Sequence, residues 1–372
     1  MSTATDPPVA ELTATAGTSL RWPVAAATGL GAMPGHDVAE VLRAVVGEVP
    51  ELPFLPQLPD RGVGADAAGR TIGLLVDIWA DVVPSGWRVS RRPSRDGHRG
   101  QDLLDRDLDA LEEHAAAAET VKLQVLGPWT LGALLETSAG NRMLTDPGAM
   151  NDLIGSLAEG VATHVADVRR RLPRATVMLQ LDEYLLPAVL DGALRTASGL
   201  TMVRAVDVAV VRDGLREVLA AAPDTLTAAN AGRRRPPLEL LAQSGFAAVR
   251  VDFTTLGRTA VLLDPVGEAL SRGTVVLAGV VPTAASERAP GRPDGPVPLA
   301  ERARPITEPL RALGFSPATI ATQVIPTPAG PLDGVSVEDA VDALRSSREI
   351  ARLLAEGADP DLAGTDLERE TR

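Results

Sequence analysis

Cysteine is absent from the 372-residue chain, which excludes disulfides, a cysteine nucleophile, iron–sulfur ligation and every thiolate zinc site. Aromatic residues are scarce, at 4 Phe, 4 Trp and 1 Tyr, so the core has to be built mostly from Ala, Val and Leu. Lysine occurs once, at Lys122; every other basic residue is arginine, a bias that fits a GC-rich genome. No apolar run approaches the length of about 18 residues that a membrane-spanning helix needs. The opening MSTATDPPVAELTATAGTS has neither the basic nor the apolar region of a secretory signal. A net charge of −13 removes the basic face that a nucleic-acid binder requires. Together these lacks predict a soluble, cytoplasmic protein without nucleic-acid or membrane partners.

What is present is enough for a large core, with 45% hydrophobic and 23% charged residues. Residues 1–21 and an acidic stretch at 357–372 have no apolar period and are expected to be disordered tails, leaving 22–356 as a single domain. Within it, short β-rich segments recur: VAAATGLG (24–31), VPSGWRVS (83–90), VKLQVLG (121–127), TVMLQLD (176–182), TLTAANA (225–231), AAVRVDF (247–253), TVVLAGVV (274–281) and TQVIPTP (322–328). Most are apolar throughout, as parallel strands covered on both faces are. Helical periods lie between them, at Asp37 to Val46, Ala65 to Val82, Gln101 to Ala118, Asn151 to Leu172, Val208 to Ala221, Pro237 to Gln243, Gly257 to Leu270, Leu299 to Leu313 and Val337 to Ala355. Strand and helix in alternation, eight times over, predict an α/β fold, a (β/α)₈ TIM-type barrel. The rival is a doubly wound open sheet. Its glycine fingerprint is missing, because GVGADAAG (62–69) follows prolines and Asp60 instead of a strand. AASERAPGRPDGPVP (284–298) reads as a long loop after the seventh strand.

In such a barrel the chemistry sits at the C-terminal strand ends. These are Gly31-Ala32-Met33-Pro34, Gly127-Pro128-Trp129-Thr130, Asp182-Glu183-Tyr184, Asp252 and Pro326 to Gly330. Asp182 and Glu183 end a mostly apolar strand, so one carboxylate should face the mouth, to hold a substrate amine or act as a base. The plainer alternative is that Asp182 caps a helix or pairs with an arginine. Asp252 is either ion-paired or turned to the mouth. Trp129 offers a face for a heterocycle but suits a core equally. His36, His98, His114 and His164 share no metal-ligand spacing.

At these strand ends the chain resembles the catalytic C-terminal barrel of the cobalamin-independent methionine synthase family, within the uroporphyrinogen decarboxylase/methionine synthase-like superfamily. LQLDE (179–183) is similar to that family's fourth-strand motif, GPWT (127–130) to its Gly-Pro-x-Thr turn, GLGAMPG (29–35) to its first-strand loop and PAGPLDG (328–334) to its C-terminal Cys-Gly-Leu segment. The matching order spans about residues 24–355. The resemblance implies methyl transfer from a methyltetrahydrofolate to homocysteine held as a zinc thiolate, metal binding being what deprotonates the thiol. It implies that Asp182 holds the amino group; Gly31, Ala32, Met33, Trp129 and Glu183 are the other candidate substrate contacts by their place at the strand ends.

The family's His-x-Cys on the fifth strand falls on Ala228 and Asn230, its glutamate on Asp252 and its last cysteine on Pro328 or Ala329. Its acid histidine has no counterpart in VVPTAAS (280–286). One carboxylate does not make a catalytic zinc site, which uses about three protein ligands. The expectation is a methionine-synthase-like barrel without zinc, with no cofactor, ordinary methyl transfer weak or lost, and a homocysteine-like amino acid or a folate as ligand. The alternatives are a non-catalytic ligand-binding relative and a metal-free enzyme of the uroporphyrinogen decarboxylase type, using Asp182 with Arg88 or Arg233.

Overall fold

The computed structural model describes residues 21–197, 199–233, 235–256, 260–283 and 298–358. The two tails and the loop expected at 284–298 lie almost wholly outside the described residues.

The chain enters helix α1 (Val38–Glu48), started by Asp37, whose Oδ1 accepts the Ala39 and Glu40 N–H groups at 2.9 and 3.2 Å. Helix α2 (Ala67–Leu74) is short, and strand β1 (Trp79–Val83) follows it. Strand β1 turns back antiparallel on β2 (Gly86–Ser90). The helix expected over Ala65 to Val82 is therefore a helix and a strand. Helix α3 (Arg95–His114) is capped by Ser94 and buries Leu104, Leu108 and Leu111. Strand β3 (Thr120–Leu126), helix α4 (Pro128–Leu134) and the short β4 (Leu135–Glu136) come next. Helix α5 (Pro147–Arg171) begins at the Asp146 cap with proline at its first position and ends on three arginines, which suit a helix C-terminus.

From β3 onward the alternation is regular. Strand β5 (Thr176–Asp182) is followed by helices α6 (Leu186–Leu190) and α7 (Val208–Ala220). Then come β6 (Leu226–Asn230), α8 (Leu238–Ser244), β7 (Ala248–Asp252), α9 (Ala260–Ser271) and β8 (Val275–Val281). Helices α10 (Leu299–Ala312) and α11 (Pro317–Gln323), strand β9 (Val324–Pro328) and helix α12 (Val337–Glu356) complete the chain. The last six of the expected strands thus form one curled, all-parallel, six-stranded sheet in the order β3-β5-β6-β7-β8-β9. Strict alternation gives the sheet two faces. Outward residues such as Val121, Leu179, Val249 and Val276 join the main core under the helices. Inward residues Met178, Leu226, Ala248, Val275, Leu277 and Ile325 pack with Ala26 and Leu52 at the N-terminal ends of the strands.

The first two expected strands are corrected. Residues 83–90 are not a barrel strand: they fall in the β1–β2 hairpin, which with β4 makes a separate three-stranded sheet. Residues 24–31 hold no regular strand, because this Ala/Gly-rich stretch bonds its neighbours only at single points. Thr28 N donates to Pro326 O beside β9 at 3.3 Å. Ala32 bridges Gln57, and Phe54 bridges Lys122 on β3, both in parallel sense. Two extended segments thus run along the two edges of the parallel sheet. Proline at positions 50, 53, 56 and 59 keeps the second from becoming a regular strand. No helix among the described residues is long and apolar enough to cross a membrane.

Candidate functional site at the C-terminal strand ends

Toward the C-terminal ends of the strands the inner face turns polar. Register places Gln124 beside Gln180, and Asp182 beside Asn230. Lys122, Gln124, Gln180, Asp182, Arg250 and Asp252 are all buried. Among the described residues Asp182 neither caps a helix nor pairs with an arginine. Its Oδ1 accepts the Gln180 and Asn230 side-chain amides, each at 2.8 Å. Burial pushes its carboxyl up to about 6, opposed by Lys122 and by the two amides.

Glu183, the next residue, points the other way. Its Oε1 accepts Trp129 N at 2.9 Å and its Oε2 accepts Thr130 N at 2.7 Å, so it closes the N-terminus of α4. A Cβ on Gly127 would stand 2.3 Å from Glu183 Oε1, which is why that position is glycine. Thr130 Oγ1 in turn accepts Leu185 N at 3.2 Å. GPWT and the Asp-Glu pair are one structural unit, in which Asp182 alone turns to the mouth. Burial raises Glu183 to about 7 against its two backbone donors.

Trp129 is core, buried at 2% exposure with its indole N–H donating to Val211 O at 3.1 Å. Of the residues expected to contact substrate, Glu183 is thus placed at the start of α4 and Trp129 in the core. Gly31, with φ +129°, lies against Gln124, and the carbonyl of Leu30 accepts Gln180 Nε2 at 3.1 Å. The first loop is thereby brought to the Asp182 site. Ala32 beside it is half-buried; Met33 is packed away in a cluster with Leu332 and Leu344.

The positions that the resemblance assigned to metal are occupied otherwise. Ala228 is a buried apolar residue inside the sheet, and Asn230 is turned to Asp182. Asp252 is both ion-paired and at the strand end: Arg233 Nε donates to its Oδ2 at 2.8 Å, and Thr254 N and Oγ1 donate to its Oδ1 at 2.9 and 2.5 Å. Ala329 O accepts the Arg250 guanidinium, which also donates to Gly232 O at 2.9 Å. Two guanidinium groups thus tie together the ends of β6, β7 and β9. Among the described residues no three His, Cys, Asp or Glu side chains converge. An apolar residue, an amide, an arginine-bound carboxylate and a backbone carbonyl do not fit a zinc ion that has to hold a thiolate.

Of the arginines named for the mouth, Arg233 is there, with its side chain 40% exposed. Arg88 lies on β2 and pairs with Glu136 at 2.6 Å. His36 and His98 are exposed, His114 is half-buried and His164 is buried on α5. Sequence reading passed over Gln124, Gln180 and Lys122 as site residues. Their signal is polar residues two apart in strands that are otherwise apolar, VKLQVL and MLQLD.

The curled parallel sheet with its helices places the fold among TIM-barrel-type α/β proteins. A solved B12-independent methionine synthase from Shewanella sp. W3-18-1, in complex with selenomethionine, is similar at a TM-score of 0.57 and 11% identity, over 90% of this chain and 98% of that one. At that identity the likeness shows the fold alone. A 2,3-dimethylmalate lyase of the PEP mutase/isocitrate lyase superfamily also aligns, over 92% of this chain and 91% of that one at 11% identity, but its TM-score of 0.32 carries no argument. No protein-family model matches the sequence. No curated protein matches it either.

Proposed function

We propose that this chain is a closed (β/α)₈ barrel of the methionine-synthase type that keeps an amino-acid anchor at Asp182 and has exchanged the zinc–thiolate site for guanidinium ties. In this reading the segments around 26–33 and 53–57 serve as the first two staves, and the protein works in the cytoplasm on a small molecule. The observation that carries it is the pairing of opposites at one strand-end ring. Asp182 is buried, aligned by two amides and turned to the mouth, while Asn230, Asp252 with Arg233, and Ala329 stand at the positions that would hold metal. A carboxylate so placed can take a ligand's ammonium group. Nothing in the set can deprotonate a thiol as a metal does, so homocysteine is a ligand here and a poor substrate.

The test combines a metal count on purified protein, a methyl-transfer assay and thermal shift, because a ligand that binds only the native state raises Tm as its concentration exceeds Kd. Expected are substoichiometric zinc, no turnover of homocysteine with methyltetrahydrofolate, and a Tm rise with homocysteine or folate, of which Asp182→Ala abolishes the homocysteine response. Stoichiometric zinc with turnover would sink the proposal. The second reading, a metal-free enzyme of the uroporphyrinogen decarboxylase type, is favoured by the partly exposed Arg233 beside the Asp182 site. A Tm response to tetrapyrroles and not to folates would select it.

A further inference from the structure

In a chain that uses arginine for every other cation, the single lysine is buried inside the sheet. On a solvated face either cation would serve. Inside, the two differ: lysine is a compact point charge on a slim stem, arginine a wide planar fork. Lys122 starts beside Met178, well below the mouth, and its stem carries the ammonium up to the level of Gln180. There Nζ donates to Gln180 Oε1 at 3.1 Å and to Gln124 Oε1 at 3.3 Å, and stands 5.4 Å from the centroid of the Phe54 ring.

Gln180 passes the charge on. Its Oε1 faces the ammonium while its Nε2 donates to Asp182 Oδ1 at 2.8 Å. Reversing the amide would set N–H against ammonium and oxygen against carboxylate, so the two charges fix its orientation. Asn230 binds the same Oδ1, and Oδ2 accepts no hydrogen bond among the described residues. The other charged groups near Asp182 have their own attachments, Arg250 from β7 on the Gly232 and Ala329 carbonyls and Glu183 on α4.

We infer that Lys122 is a positioning residue of the Asp182 site, holding that carboxylate ionised and aimed through Gln180 so that Oδ2 meets the ammonium group of an amino acid. The ligand clause rests on the proposed role of Asp182; the Lys122–Gln180–Asp182 coupling does not. The same linkage appears in the titration of both groups: burial lowers Lys122 to about 7, against the pull of Asp182.

A single lysine makes the test unambiguous. Full-length protein made with lysine labelled at Cε gives one side-chain resonance, that of Lys122. In Asp182→Asn at pH 7 it is expected to move toward the neutral-amine position, and Gln180→Leu should move it in the same sense. An unchanged signal in Asp182→Asn overturns the inference, whether or not any ligand binds. Homocysteine is the ligand probe. Lys122→Met should weaken it by about tenfold or more, roughly 1.4 kcal/mol, with Lys122→Arg giving no rescue. Equal binding by wild type and Lys122→Met also overturns the inference. No binding to wild type sinks the role of Asp182 as an amino-acid anchor, and with it the ligand clause, while the resonance still decides the coupling.

Discussion

Gly127 and Glu183 come from the ends of neighbouring strands, and neither can change without the other. A Cβ at Gly127 would meet the Glu183 carboxylate at 2.3 Å, and that carboxylate is held in place by the Trp129 and Thr130 N–H groups. Gly127→Ala is expected to cost about 2–3 kcal/mol by overpacking. Glu183→Ala leaves two buried N–H groups, of Trp129 and Thr130, without an acceptor, a loss of about 2–3 kcal/mol. Because the first change acts by displacing the very group that the second removes, the double variant should lose clearly less than the sum. Urea denaturation of the three variants measures this, and additive losses would contradict the shared unit. Neither change introduces a charge at Asp182, which faces the opposite side of the strand end.

Helix α5 carries the clearest pH signature at the scale of elements. His164 lies on its buried face, and burial, reinforced by Arg70, lowers its pKa from 6.5 to about 4. The sign follows from proton binding. Above pH 6.5 neither folded nor unfolded chain binds the proton; between about 6.5 and 4 only the unfolded chain does, so stability falls as pH falls through that window. At about 1.4 kcal/mol per pH unit the loss is about 3 kcal/mol. His164→Phe removes this contribution, so its stability relative to the wild type should rise by about 3 kcal/mol as pH falls from 6.5 to 4, as read by denaturant midpoints; a difference that does not change with pH would refute it. Of the elements themselves, the sequence made the six parallel strands and their helices legible, since each is a continuous apolar run between helical periods. It misplaced the first two expected strands. Residues 24–31, expected as a strand, make only isolated ladder contacts, while VPSGWRVS (83–90), expected as one strand after a helix ending at Val82, is part of a hairpin turning at Pro84-Ser85.

Over the whole molecule, the irregular segments at the edges of the parallel sheet are held in place by buried charges. Asp107 on α3 is buried and receives Arg61 through two hydrogen bonds at 2.7 Å, together with Arg70, whose guanidinium also holds the carbonyl of Pro56. Asp107→Asn leaves buried Arg70 without its counter-charge and is expected to cost about 3–5 kcal/mol. Calorimetry would show this as a lower Tm; an unchanged Tm would mean that the triad does not pin the segment. Closure itself makes a second expectation. The amides of Met33, Leu55 and Gln57 are bonded across the gap, at 2.9 to 3.0 Å. In a closed barrel their hydrogen exchange is slowed like that of β3 and β5. Exchange as fast as in exposed loops would leave an open sheet with two loosely attached segments.

Some of this was fixed by residues acting locally. Alternation and apolar content set the parallel strands, the caps at Asp37, Ser94 and Asp146 set helix starts, and the missing cysteines ruled out thiolate metal sites from the beginning. A period of two tells that Asp182 and Glu183 face opposite sides; it cannot tell which side is the mouth. Only the tertiary structure decided that, by setting α4 against Glu183 and Asn230 against Asp182. It also turned the sole lysine from a trait of composition into the buried partner of a carboxylate on the neighbouring strand. The physical reason is common to both. A buried charge is stable only beside groups that satisfy it, and those groups come from strands far apart in sequence, which meet only when the sheet curls.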